Sequence, residues 1–130
     1  MADFTRDEVL QVVVDGRKCV GAGLRNIDLS DANLIWANLW GAGLYGADLS
    51  GVDLRQAKLY GANLRGADLR KADLTGAKLE SADLRGARYS LNTTWPDGFD
   101  PEGGDLYARL PESRTGSVQL LILRLEIRYQ

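Results

Sequence analysis

The chain has no histidine, one cysteine, one methionine and three prolines in 130 residues. Without histidine it lacks the commonest general base and the commonest protein metal ligand. A lone Cys19 rules out an internal disulfide framework and most zinc sites. No stretch approaches the roughly 20 apolar residues of a membrane-spanning helix. The opening residues carry Asp3, Asp7 and Glu8 where a secretory signal needs a basic start and a long apolar run. A large charge of one sign is missing as well. The net charge is −2, from 18 acids and 16 bases. Residues 1–21 hold 4 acids and 3 bases, residues 22–91 hold 8 and 9, and residues 92–130 hold 6 and 4. No segment has the positive excess of a nucleic-acid binder. These absences lead us to expect a soluble cytoplasmic protein with no nucleic-acid or membrane partner.

What the chain does have is a five-residue period from 22 to 91. Leucine stands at 24, 29, 34 and every fifth position to Leu84, and Tyr89 takes the next slot. Two residues before each sits a compact apolar side chain: Ala22, Ile27, Ala32, Ala37, Ala42, Ala47, Val52, then alanine at each step from Ala57 to Ala87. A period of five fits neither the 3.6 of a helix nor the 2 of a strand. It fits a short extended step, with both apolar residues inward and the one between them outward, followed by a two-residue corner. Each such unit can bury its inner face only against its neighbours, so the architecture is a solenoid.

Units such as Ala47-Asp48-Leu49, Ala62-Asn63-Leu64, Ala67-Asp68-Leu69 and Ala82-Asp83-Leu84 match A(D/N)LXX. The chain thereby resembles the pentapeptide repeat family, over fourteen tandem units. The resemblance implies an all-β solenoid, a right-handed quadrilateral β-helix with 20 residues per coil. In that register Leu24, Leu44, Leu64 and Leu84 stack in one column, and Cys19 extends the column of Leu39, Leu59 and Leu79 backward. Cys19 then reads as a small core hydrophobe rather than a reactive sensor.

The open edges of a β-solenoid call for caps. Thr5-Arg6-Asp7-Glu8 is a capping box at the start of a helix whose apolar face is Val9, Leu10, Val12 and Val13, with Gly16 as its stop. Residues 1–16 are therefore expected to be an N-terminal capping α-helix and residues 17–91 the β-helix. Residues 92–130 are expected to be a C-terminal cap and tail. Pro96-Asp97-Gly98 signals a turn, with Trp95 and Phe99 positioned to fold over the last coil. The run from Thr94 to Pro101 also resembles a segment that follows the repeats in cyanobacterial members of the family. In residues 105–130, Leu121, Leu123, Leu125, Ile127 and Tyr129 alternate with Arg124, Glu126 and Arg128. The alternation favours a strand over a short helix and invites homodimer formation or docking on the rod.

Function should lie on the outward positions. The column Asp28, Asp48 and Asp68 invites a cation site, but such residues also suit turns through side-chain bonds to nearby backbone. We read it as turn chemistry, with no metal and no cofactor. Trp36, Trp40, Tyr45 and Tyr60 are expected to gather around one corner, with Trp36 at the preceding one, as a candidate interaction surface or as stacking that stabilises the coils. Ser50, Ser90, Thr93 and Thr94 have no base beside them, and no glycine-rich phosphate loop is present, so no enzyme activity is expected. The expectation is a structural or protein-interaction module whose partner is another protein. The alternative is implied by the resemblance alone: quinolone-resistance members of the family mimic DNA and occupy gyrase. The +1 sum over residues 22–91, 9 bases minus 8 acids, argues against it here.

Overall fold

The computed structural model describes residues 4–14, 19–99 and 101. Parallel bridges join positions 20 residues apart, including Gly23 to Gly43, Asp28 to Asp48, Asn33 to Asp53 and Asn38 to Lys58. One coil therefore takes four five-residue units, and the chain stacks coil on coil. We call the sides beginning at Ala22, Ile27, Ala32 and Ala37 the first to fourth faces.

Each inward leucine from Leu24 to Leu74 donates its amide to the middle residue of the next coil, as from Leu24 to the Gly43 carbonyl and from Leu29 to that of Asp48, both at 2.8 Å. The middle residue donates back, as from Gly43 to the Ala22 carbonyl at 2.8 Å. Backbone polarity is thus satisfied between coils, while the side chains sort by position. Leu24 to Leu74 are all fully buried, and alanine or valine from Ala42 to Ala72 lines the same interior. Burying one leucine side chain contributes about 1.5–3 kcal/mol, so the column of leucines is the principal stabilising element. Cys19 lies in this core at 7% exposure, and burial pushes its thiol pKa up. It is the inert packing residue its register implied.

The corners are four-residue turns. The alanine amide closes each one onto the preceding leucine carbonyl, as from Ala42 to Leu39 at 3.0 Å. The third turn residue has positive φ at every corner from 26 to 86, the signature of a type II turn. Glycine suits that conformation because it has no Cβ, and Gly41 and Gly76 are two examples. Six corners instead use Asn26, Asp31, Trp36, Gln56, Lys71 and Ser81.

The N-terminal edge is closed by α1, Arg6–Val14. The capping box forms as its spacing predicts: the Glu8 amide donates to Thr5 Oγ1 at 3.2 Å, and the Thr5 amide to the Glu8 carboxylate at 2.7 Å. Val9 is buried and Leu10, Val12 and Val13 pack on the core. Arg6 donates to the Asp28 and Ser30 carbonyls at 3.1 and 2.9 Å. Within the rod, the equivalent Asp48 and Ser50 carbonyls accept the amides of Leu29 and Asp31. One guanidinium fork therefore replaces two amides of a coil that is not there.

At the other end the period slips by one residue. Thr94, not residue 93, bridges to Asp73. The Thr94 amide bonds to the Ala72 carbonyl at 2.9 Å. Thr93 takes the compact inward slot, 7% exposed, and donates its hydroxyl to the Leu69 carbonyl at 2.7 Å. The coil thus continues beyond residue 91 to Thr94. Trp95 then follows, edge-on to Tyr89 at 5.4 Å, with Phe99 at 5.1 Å from it. Both rings pack against the core, as the flanking turn signal predicts. The alternating segment at 105–130 lies outside the described residues.

Candidate interaction face

The fourth face carries Asn38, Lys58 and Lys78 as its middle residues, joined by bridges from Asn38 to Lys58 and from Lys58 to Lys78. The next position outward is Trp40, Tyr60 and Glu80 on successive coils. Trp40 is 54% exposed and lies against Tyr60 with ring centroids 4.9 Å apart. Trp36 stands at the corner where the chain enters this face and is 70% exposed, with φ at 62°. A bulky side chain in the left-handed region costs about 1–3 kcal/mol. Most of its surface meets solvent, so packing offsets little of that cost.

The four sequence-derived aromatics do not share one corner. Each five-residue unit moves the chain one corner on, so Trp36, the Trp40–Tyr60 pair and Tyr45 occupy three successive corners. Trp40 and Tyr60 are brought together by the 20-residue register. Trp36 flanks the same face at its far side. Tyr45 belongs elsewhere: the Arg25 guanidinium lies over its ring at 5.2 Å. The two sit by a shallow recess of about 320 Å³ above Gly23 and Gly43. A larger groove, about 520 Å³, lies at the lower end of the fourth face. Gln56, Gly76, Lys78, Glu80, Pro96 and Phe99 are among its walls. It was not legible beforehand because one wall comes from the C-terminal turn.

The aspartates of the other faces are bonded locally. Asp53 takes bonds from the Arg55 guanidinium at 2.9 and 2.8 Å, and Asp68 from Arg70 at 2.9 and 2.6 Å. Asp83 is held by Arg85 in the same way. Ser30, Ser50 and Thr75 donate hydroxyls at 2.6 Å to Asp28, Asp48 and Asp73. Arginine hydrogen bonds hold the carboxyls of Asp53, Asp68 and Asp83 below the usual range, and the Ser30 hydroxyl does so for Asp28. Each aspartate also accepts the backbone amide two residues on, as Asp48 does from Ser50 at 3.0 Å. The acidic column is therefore committed to turn geometry. Among the described residues no group of three or more Cys, Asp or Glu side chains is arranged to hold a metal ion. No described helix is long and apolar enough to cross a membrane.

On the fourth face this compensation is missing. Lys58 and Lys78 are exposed, and among the described residues neither has an ion-pair partner. Lysine cannot accept the amide two residues on, Tyr60 cannot neutralise Lys58, and Glu80, two residues after Lys78, is not within ion-pair distance of it.

The stacked coils and their 20-residue bridges define a β-helix solenoid. The model of the family described as pentapeptide repeats (8 copies) matches residues 18–56, 27–66 and 47–86. Those stretches span more than half of the chain, which belongs to the pentapeptide repeat family. A pentapeptide repeat protein from Nostoc, known from its crystal structure, is 35% identical, with a TM-score of 0.55 over 85% of this chain and 98% of that one. One from the cyanobacterium Cyanothece is 40% identical over 58% of this chain and 54% of its own, at a TM-score of 0.37. One from the thylakoid lumen of Arabidopsis thaliana is 30% identical over 58% and 63%, at 0.40. No curated protein matches the chain.

Proposed function

We propose that the chain is a right-handed quadrilateral β-helix acting as a non-enzymatic structural and protein-interaction module in the cytoplasm. An N-terminal cap and a C-terminal cap and tail flank a rod that presents flat faces to a protein partner. One observation carries this reading. On the second and third faces the residue two positions on bonds Asp28, Asp48, Asp53, Asp68 and Asp73, whereas the fourth leaves Trp36 and the Trp40 of the Trp40–Tyr60 pair largely exposed on a face whose two lysines have no ion-pair partner among the described residues. Exposed aromatics that bring large contact area at low entropy cost mark protein-binding surfaces. The test is affinity capture from native lysate with the wild type and the Trp40→Ser/Tyr60→Ser double variant, each captured protein then being tested for direct binding. The double variant should lose at least one direct binder. Unchanged binders with a lower melting temperature would reduce the aromatics to a stabilising role.

DNA mimicry is disfavoured by the +1 sum of residues 22–91. Micromolar protein should leave gyrase supercoiling unchanged. We also propose that residues 105–130 mediate homodimer formation or dock on the rod. Deleting them should change the solution mass by light scattering or the thermal stability, and no change in either would remove the idea.

A further inference from the structure

We propose that the fourth face recognises an acidic, aromatic-containing segment of its partner, with Lys58 and Lys78 closing on a carboxylate and the Trp40–Tyr60 ledge taking the adjacent ring. The inference rests on the reading of the chain as a protein-interaction module and names the chemistry of the partner.

Like charges directly opposite one another on neighbouring strands repel. The rod tolerates such ladders on its second and third faces, where Asp28, Asp48 and Asp68 are bridged in series and Asp53 is bridged to Asp73. There every carboxylate is bonded by the residue two positions on, and Arg55 also reaches Asp73 at 4.0 Å. The bridged Lys58–Lys78 pair has no such relief. Two ammonium groups rooted about 4.8 Å apart can share one carboxylate, and the charge-assisted bonds so formed would remove the repulsion. Among the described residues, the acids lining the lower groove of this face are Glu80 and Asp97. They place the preferred anion site at Lys58 and the upper part of the ladder, beside the ledge.

The aromatics give the second argument. Trp36 occupies a corner conformation for which the rod elsewhere often uses glycine, and it leaves 70% of its surface in water. Trp40 exposes 54% beside Tyr60 at 4.9 Å. Strain and exposure without packing gain make sense when a partner supplies the missing contacts. A nucleic acid fits less well. The column starts at neutral Asn38 and is flanked by Glu80, so it offers two cations rather than a continuous basic stripe.

The probe is a fluorescein-labelled synthetic peptide alternating glutamate and tyrosine, titrated with the full chain by anisotropy. Controls are the same peptide with lysine for glutamate, and a short DNA duplex. We expect saturable binding of the acidic peptide only, weakened about tenfold and made less salt-sensitive by Lys58→Gln/Lys78→Gln. Arg55→Gln, which removes a cation from the third face, should leave it unchanged, and Trp36→Gly should weaken it. Melting curves confirm that each variant is folded. Absence of binding by the wild type, equal binding by the lysine variant, equal loss in Arg55→Gln, or tighter binding of the duplex would each overturn the proposal. Failure of the underlying module reading looks different. If captured native proteins depend on Trp40 and Tyr60 but not on Lys58 and Lys78, the module stands and the acidic partner falls. If no direct binder depends on the aromatic pair, the module reading falls as well.

Discussion

The second and third faces and the fourth are built on the same bridges at the same coil spacing, yet they treat charge in opposite ways. Asp68 sits two residues before Arg70 and Asp53 two before Arg55, and both pairs close in place. Lys58 sits two residues before Tyr60, and nothing closes. The outward slot two positions after each middle residue therefore decides whether a face is self-contained. A side chain there is held on the same side by the turn, close enough to form a bidentate bond without ordering any distant group. Replacing that slot with aromatics exchanges local neutralisation for a surface that can meet something else.

The comparison can be tested from the largest expected effect downward. Both faces hang on one interior, so Leu54→Ala and Leu59→Ala should each destabilise by about 2–5 kcal/mol in denaturant melts. Both leucines are fully buried. A large inequality between them would mean that the faces differ inside as well as out. Asp68→Ala removes an arginine fork and a turn bond together, and should cost about 1 kcal/mol, reduced by solvent exposure of the arginine. Trp36→Gly runs the other way. Releasing the left-handed strain, offset by the greater freedom of glycine in the unfolded chain, should raise stability by about 1 kcal/mol. A fall in melting temperature would show that Trp36 packs for stability and would weaken its place in the interaction face.

Acid should expose the same contrast. The folded-state pKa values of Asp53, Asp68 and Asp83 lie below their unfolded values because of their arginine hydrogen bonds. Their contribution is therefore complete above the unfolded pKa near about 3.9, and is lost as pH falls through the depressed folded values. Melting temperature against pH should fall steeply below about pH 4 in the wild type. The fall should be shallower in the Asp53→Asn/Asp68→Asn/Asp83→Asn variant. Identical slopes would mean that these bonds are too well solvated to matter. The smallest effect is expected at the lysine ladder. Lys58→Gln/Lys78→Gln should stabilise the free protein by a few tenths of a kcal/mol, approximately, at low salt, and by less at high salt. A loss of stability would show that the lysine stems contribute packing that outweighs their repulsion.

Much of the fold was legible because a five-residue period leaves few ways to bury leucine. The inward leucines and the capping box from Thr5 to Glu8 follow from residue spacing, and the columns with the inward Cys19 from that spacing together with the coil length the family resemblance implies. The aspartate–arginine pairs follow too, because they span only two residues. The aromatic set was less legible. Spacing placed Trp40 over Tyr60, but gathering Tyr45 with them ignored the corner turned between successive units. The slip at Thr93 was hidden because a threonine does not announce whether it faces in or out. Its hydroxyl bond to Leu69 depends on where the previous coil ends.

The sequence by itself determined the interior and the local bonding of the aspartates, since each depends on contacts repeated every five residues or formed within two, while the 20-residue coil was an expectation from the family resemblance. Only the tertiary structure decided the rest. It set Arg6 across the Asp28 and Ser30 carbonyls, built the groove between Gln56 and Phe99, and left Trp36 exposed at a positive φ on the corner entering the lysine-bearing face. Those features join residues from different coils or from the ends of the chain, and their geometry exists only once the coils are stacked.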